Sequence, residues 1–174
     1  YQLWNQSTEG KTRREKIEFL MKFVQDIPYG IPPDTEGTTV LHGRLPPPGV
    51  LTEGWGDCDS KAVLFASLLS PDPSHAIAFV KVPTHLMLAL ADVPRPYEQS
   101  FKYRGKSYVI AEVTGPARFD YGDTGSVKYS SFNGIHEINA LTHRSKHVRR
   151  VVAAPPAFAK GRLPLERLAA DSGS

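Results

Sequence analysis

An α+β fold, in which a central helix packs on an antiparallel sheet, is predicted for this 174-residue chain by three observations. The run Ala62-Val63-Leu64-Phe65-Ala66-Ser67-Leu68-Leu69 is apolar nearly all round, which suits a helix buried on most sides. Three strand-like runs follow it, Ala76 to Val82, His85 to Ala91 and Tyr108 to Val113, and antiparallel pairing is the economical way to join them. Ahead of these, Ile17, Leu20, Met21 and Val24 recur at three-and-four spacing and predict an amphipathic helix over Thr12 to Gln25.

Pro28 stops that first helix. Tyr29 to Glu53 holds Pro32-Pro33, Gly37, Gly43, Pro46-Pro47-Pro48 and Gly49 with no sustained period, and reads as a long surface loop. Asp57 suits the N-cap of the central helix, and Lys61, four residues on, is placed to pair with it. Pro71 and Pro73 close that helix. Pro94-Arg95-Pro96 and Arg104-Gly105-Lys106 mark a hairpin-like excursion before the last strand. Arg118 to Asn133, with Phe119, Tyr121, Gly122, Tyr129 and Phe132, suggests irregular or short-strand structure. Beyond Ile138 the chain turns basic at Arg144, Lys146, Arg149 and Arg150, and a short helix is expected near Leu165 to Ala169.

With 40% hydrophobic and 22% charged residues, the composition is that of one globular domain, read as residues 1–174. The last ~20 residues leave room for an extension with a fraying end. A net charge of +3, from 21 Lys+Arg against 18 Asp+Glu, is too balanced to imply a nucleic-acid partner. No apolar run reaches the roughly 18 residues of a membrane helix. Tyr1 is not methionine, so the sequence reads as a processed protein or an excised domain whose signal or anchor could have been removed. The compartment stays open, a periplasmic or membrane-associated setting included. Oligomeric state is open too.

Cys58 is the single cysteine, in Gly54-Trp55-Gly56-Asp57-Cys58-Asp59-Ser60. A helix N-terminus favours thiolate, the form that attacks carbonyl carbon, and the preceding glycines let the backbone turn and a substrate approach. A lone cysteine is equally at home as a small buried hydrophobe. His85 opens one strand and Glu112 lies in the next, and neighbouring strands are only about 5 Å apart. Sulfur, imidazole and carboxylate thus occur in the order helix, strand, strand.

This order and its local sequences resemble the transglutaminase-like superfamily of papain-like fold, especially its bacterial cysteine-peptidase-like members. The matching residues are Phe23-Val24-Gln25-Asp26-Ile27-Pro28-Tyr29, Gly56-Asp57-Cys58-Asp59-Ser60-Lys61-Ala62, Pro83-Thr84-His85 and Tyr108-Val109-Ile110-Ala111-Glu112-Val113-Thr114. The Gly-Asp-Cys block is the specific part. Many relatives carry aspartate where this chain has Glu112, and the segment beyond Pro116 matches no family pattern. The resemblance implies a Cys58, His85 and Glu112 triad, with the Cys58 amide and Gln25 as oxyanion donors. Gln25 has a plain alternative as an exposed residue at a helix end. Tyr29, Trp55 and Gly56 are expected to wall the substrate cleft, with packing as the competing role of the two aromatics. Asp57 is expected to be consumed by capping, and Asp59 to turn away from the sulfur.

The implied activity is hydrolysis of an amide bond in a protein or peptide through a thioester acyl-enzyme, without a cofactor. Transamidation is the alternative if an amine resolves the thioester, and a non-catalytic peptide-binding module is another. His136, His143 and His147 lack the second cysteine or tight carboxylate cluster of a zinc site, so no metal is expected. Neither a Gly-rich phosphate loop nor a Gly-x-Ser-x-Gly elbow is present.

Overall fold

The computed structural model describes residues 6–40, 42–72, 74–125 and 132–138. All lie in the first of two units into which the chain divides, Tyr1–Leu141 and Thr142–Ser174. Tyr129, His143, His147, the basic run Arg144 to Arg150 and the helix expected near Leu165 to Ala169 lie outside the described residues, as does the rest of the tail.

Helix α1 spans Arg13–Asp26. The Thr12 hydroxyl accepts from the Glu15 backbone, while the Glu15 carboxylate accepts from the Thr12 amide at 2.7 Å, so two first-turn donors are satisfied reciprocally. Ile17, Leu20, Met21 and Val24 are buried, the face their spacing predicts. Ile27 is already extended, as a residue ahead of proline must be.

The stretch from Tyr29 to Glu53 differs from the unstructured loop expected of it. Strands β1 (Thr35–Glu36) and β2 (Thr39–Val40) form a small hairpin, and Pro47–Glu53 is a helix, α2. The proline run misled the reading because Pro46 is the N-cap and Pro47 and Pro48 sit in the first turn, where a missing N–H costs nothing. Gly54, at φ 72, ends α2 in the left-handed conformation that glycine tolerates.

Helix α3 spans Cys58–Leu69, and Asp57 caps it by accepting from the Ser60 amide at 2.9 Å. Its low amphipathicity fits its position: Ala62, Leu64, Phe65, Ala66 and Leu69 are all buried. The sheet comprises β3 (Ile77–Val82), β4 (His85–Ala91), β5 (Ser100–Tyr103), β6 (Lys106–Ala111) and β7 (Gly134–Ile138). Strand order is β5-β6-β4-β3-β7, and every pair is antiparallel. The β5–β6 hairpin turns at Arg104 and Gly105, both at positive φ, which matches the right-handed twist of the strands it joins. The last strands differ from expectation. β6 stops at Ala111, leaving Glu112 just beyond the strand, and β7 adds an edge past the region read as irregular.

The fold is therefore α+β with an antiparallel sheet. On one face, Ile77, Leu88, Leu90, Val109 and Ala111 pack with α1 and α3. On the other, Ala78, Val80, Val82, Met87, Ala89, Tyr108 and Ile110 are also buried, against Phe101, Tyr103, Phe132 and Ile135. Burial of both faces explains why β4 reads as an unbroken apolar run rather than alternating. Among the described residues, no helix is long and apolar enough to cross a membrane.

Candidate active site

Cys58 is the first residue of α3 and is half-buried. The first amides of a helix have no intrahelical acceptor, so its backbone N–H stands among donors open to an external oxygen. The glycine-rich approach is held by backbone pairing. Gly56 donates to the Pro28 carbonyl at 3.1 Å and accepts from the Gly30 amide at 3.2 Å, forming a parallel bridge with Tyr29. The end of α1 is thereby tied to the start of α3.

Asp59 occupies an unexpected place. The reading above turned its carboxylate away from the sulfur, but Cys58 Sγ lies 3.5 Å from Asp59 Oδ1 and donates to it. Asp57, in contrast, is spent on the cap as predicted.

His85 and Glu112 meet because of strand register. Leu88 pairs with Ala111, the last residue of β6, so Glu112, just past that strand, lies close to the start of β4 where His85 stands. His85 Nε2 lies 2.6 Å from Glu112 Oε2. Burial alone would lower the imidazole pKa, but interactions with Cys58 and Glu112 outweigh it and push it up to about 10. The ring is thus an imidazolium at neutral pH, with Nδ1 as the nitrogen not engaged by Glu112. The hydrogen bond of the sulfur goes to Asp59, and Cys58 is at the same time one of the groups that raise the His85 pKa.

Glu112 is 5% exposed. Burial works to raise its pKa, yet the hydrogen bond and charge of His85, with the Thr114 amide, hold it below the usual carboxylate range. Its Oε1 accepts from the Thr114 backbone N–H at 2.8 Å. One oxygen therefore orients the imidazole while the other is anchored.

Behind the carboxylate stand two buried side chains. Gln25 Nε2 donates to the carbonyls of Glu112 at 2.6 Å and Phe119 at 3.1 Å. Both amide hydrogens are committed and the side chain is buried, so Gln25 fixes the backbone that carries Glu112, a different position from the oxyanion donor expected of it. Lys61 Nζ donates to the carbonyls of Ile27, at 2.6 Å, and of Thr114, with the Gln25 carbonyl at 3.5 Å. This corrects the expected pairing with Asp57: the lysine points inward, away from the helix start. Burial lowers its pKa to about 8, against the attraction of Glu112 and Asp26. At Gly115, a side chain would come within 2.5 Å of the Gln25 carbonyl, and its φ of 69 also calls for glycine.

The proposed cleft residues divide. Tyr29 is 50% exposed. Its phenol pKa is raised by burial and by the charges of Cys58, Asp57 and Asp59, which puts it in the electrostatic field of the sulfur. Trp55 is half-buried against the core, its ring so close to Gly30 that a Cβ there would sit 2.6 Å from it. Gly56 is buried with both backbone groups paired, so it shapes the approach to Cys58 rather than offering groups to a ligand. A cavity of about 640 Å³ lies beside the start of α3, lined by Asp59, Ser60 and Val63 of that helix and by Val40, His42, Arg44, Leu45, Pro46 and Pro47.

Lys61 and Asp59 were missed as site residues. A signal for Lys61 existed, since a lysine in a helix apolar on nearly every face has no solvent side to occupy. His136 is exposed on β7, and among the described residues no group of three or more His, Cys, Asp or Glu could hold a metal ion. Compared with protein-family models, curated proteins and solved structures, the chain matches none.

Proposed function

We propose that this chain is a cysteine-dependent amide hydrolase of transglutaminase-like type, with its helix and sheet in the papain-like arrangement. The observation that carries this reading is the 2.6 Å contact of His85 with Glu112, in a ring whose other polar neighbour is Cys58. A buried carboxylate aligned on an imidazolium next to a sulfur at a helix N-terminus is the constellation that nucleophilic acyl transfer needs.

The attacking form is the Cys58 thiolate beside imidazolium His85, the thiol proton having passed to solvent; its sulfur bonds to the amide carbonyl carbon, and the carbonyl electrons move to oxygen, which the Cys58 amide receives. As the C–N bond breaks, imidazolium His85 gives its proton to the departing amine, leaving a thioester. Neutral His85 then takes a proton from water, whose oxygen attacks the thioester. The acid leaves, and the proton returns the ring to imidazolium beside the sulfur. Glu112 holds the ring in one orientation and stabilises its charge throughout.

The test is cleavage of a library of peptide amides by the wild-type chain, by Cys58→Ser and by His85→Ala. The reading expects release of amine only from the wild type. A glutamine-containing peptide with a labelled amine belongs in the same assay: incorporation exceeding cleavage would replace hydrolysis by transamidation. No turnover in either format, together with ordinary thiol reactivity, would leave the non-catalytic peptide-binding module as the reading.

A further inference from the structure

We propose that the cavity lined by the start of α3 and by residues 40, 42 and 44–47 seats an aliphatic side chain of the acyl-donor peptide, with Arg44 of its lining meeting a carboxylate on that peptide. The inference rests on the hydrolase reading and names its substrate class. The cavity, of about 640 Å³, falls within the range of about 300–1,000 Å³ typical of ligand clefts. Val40, Leu45, Pro46 and Val63 give it carbon walls.

Its position relative to the sulfur is set by Asp59, which lines the cavity and whose Oδ1 lies 3.5 Å from Cys58 Sγ. A peptide whose carbonyl carbon is at the sulfur therefore has the cavity one side chain away. The wall is held in place, since the Leu45 amide donates to the buried Ser60 hydroxyl at 2.8 Å and the His42 amide donates to the Asp34 carbonyl at 3.0 Å. A preformed recess with carbon walls loses little on taking up an aliphatic group against them, and the area removed from water drives binding.

Charge sorts the flanking residue. Arg44 is exposed and has no carboxylate partner among the described residues, while Asp59 is the lining residue beside the sulfur. An acidic group on the ligand is thus repelled by Asp59 and attracted by Arg44, whose guanidinium takes a carboxylate in bidentate fashion.

The test uses biotinylated dipeptidyl vinyl sulfones, which add covalently to the Cys58 sulfur, with Glu-Leu, Lys-Leu, Glu-Ala and Lys-Ala as the recognition pairs. The Glu-Leu probe should label at least about tenfold faster than Glu-Ala, the discrimination that missing methylenes give in an apolar pocket. Glu-Leu should also outpace Lys-Leu, and Arg44→Glu should reverse that order. Val63→Trp, which fills the recess, should erase the leucine preference. Labelling that still depends on His85 but ignores both side chains would overturn the pocket and leave the hydrolase standing. Absence of labelling, or equal labelling in His85→Ala, would overturn the hydrolase and the pocket with it.

Discussion

Lys61, three residues into the helix that Cys58 begins, donates through Nζ to the carbonyl of Ile27 at 2.6 Å. It also donates to the carbonyl of Thr114, whose amide holds Glu112 Oε1. One buried ammonium therefore ties the end of α1, the start of α3 and the segment behind the acid into a single unit. A buried cation satisfied wholly by carbonyl oxygens avoids the desolvation of a second charge, and its loss strands those oxygens without water.

Lys61→Met should accordingly destabilise the fold by on the order of 2–4 kcal/mol, because at least two buried carbonyls lose their donor. Urea unfolding monitored by tryptophan fluorescence measures it. A variant within about 0.5 kcal/mol of wild type, the range of ordinary surface substitutions, would show that the three segments are held by other means.

Glu112→Gln keeps the shape and the acceptor for Thr114 while removing the charge. The imidazole pKa should fall from about 10 toward its ordinary value, read by NMR titration of the His85 ring. Turnover of a peptide amide should drop by about 100-fold or more, because the ring loses the group that orients it and stabilises its positive charge. An unchanged His85 titration would assign the raised pKa to the sulfur alone.

Much of this arrangement was legible in the chain, and the reason is locality. Asp57 announces the start of α3 because capping involves only the next three residues, and the apolar run after it can only be an interior helix. The meeting of His85 with Glu112 follows from two strands whose pairing is set by short connections and by apolar faces. The partners of Lys61 and Gln25 were not legible, since backbone carbonyls carry no residue identity and those of Thr114 and Glu112 lie far along the chain. Helix α2 hid behind its own prolines, which mark loops and helix first turns alike. The rotamer that turns Asp59 onto the sulfur is a tertiary choice, one that charge repulsion alone argued against.

That rotamer leads to a prediction of its own. A carboxylate charge 3.5 Å from Sγ opposes negative charge on the sulfur and holds its hydrogen. Asp59→Asn should speed iodoacetamide alkylation of Cys58 at pH 6–7 by about three- to tenfold, as expected from removing one partly screened charge. The same substitution with His85→Ala should lose the gain. A slower reaction in Asp59→Asn would mean that the carboxylate assists the sulfur.

The His85 pKa of about 10 also predicts how stability depends on pH. The unfolded chain holds its histidine near 6.5, so the folded state binds the extra proton more tightly. Its contribution is fully present below about 6.5 and is lost as pH rises from there through about 10. Lys61 works in the opposite sense over a narrower window. Its pKa is lowered to about 8 from 10.5, so the unfolded state binds more protons between those values and stability gains with pH there. The difference between wild type and His85→Gln removes the lysine contribution, which both chains share. Thermal unfolding from pH 6 to 10 should show wild type losing its advantage over the variant progressively across that range. A gap that stays constant with pH would mean that the folded chain holds the His85 proton no more tightly than the unfolded chain does.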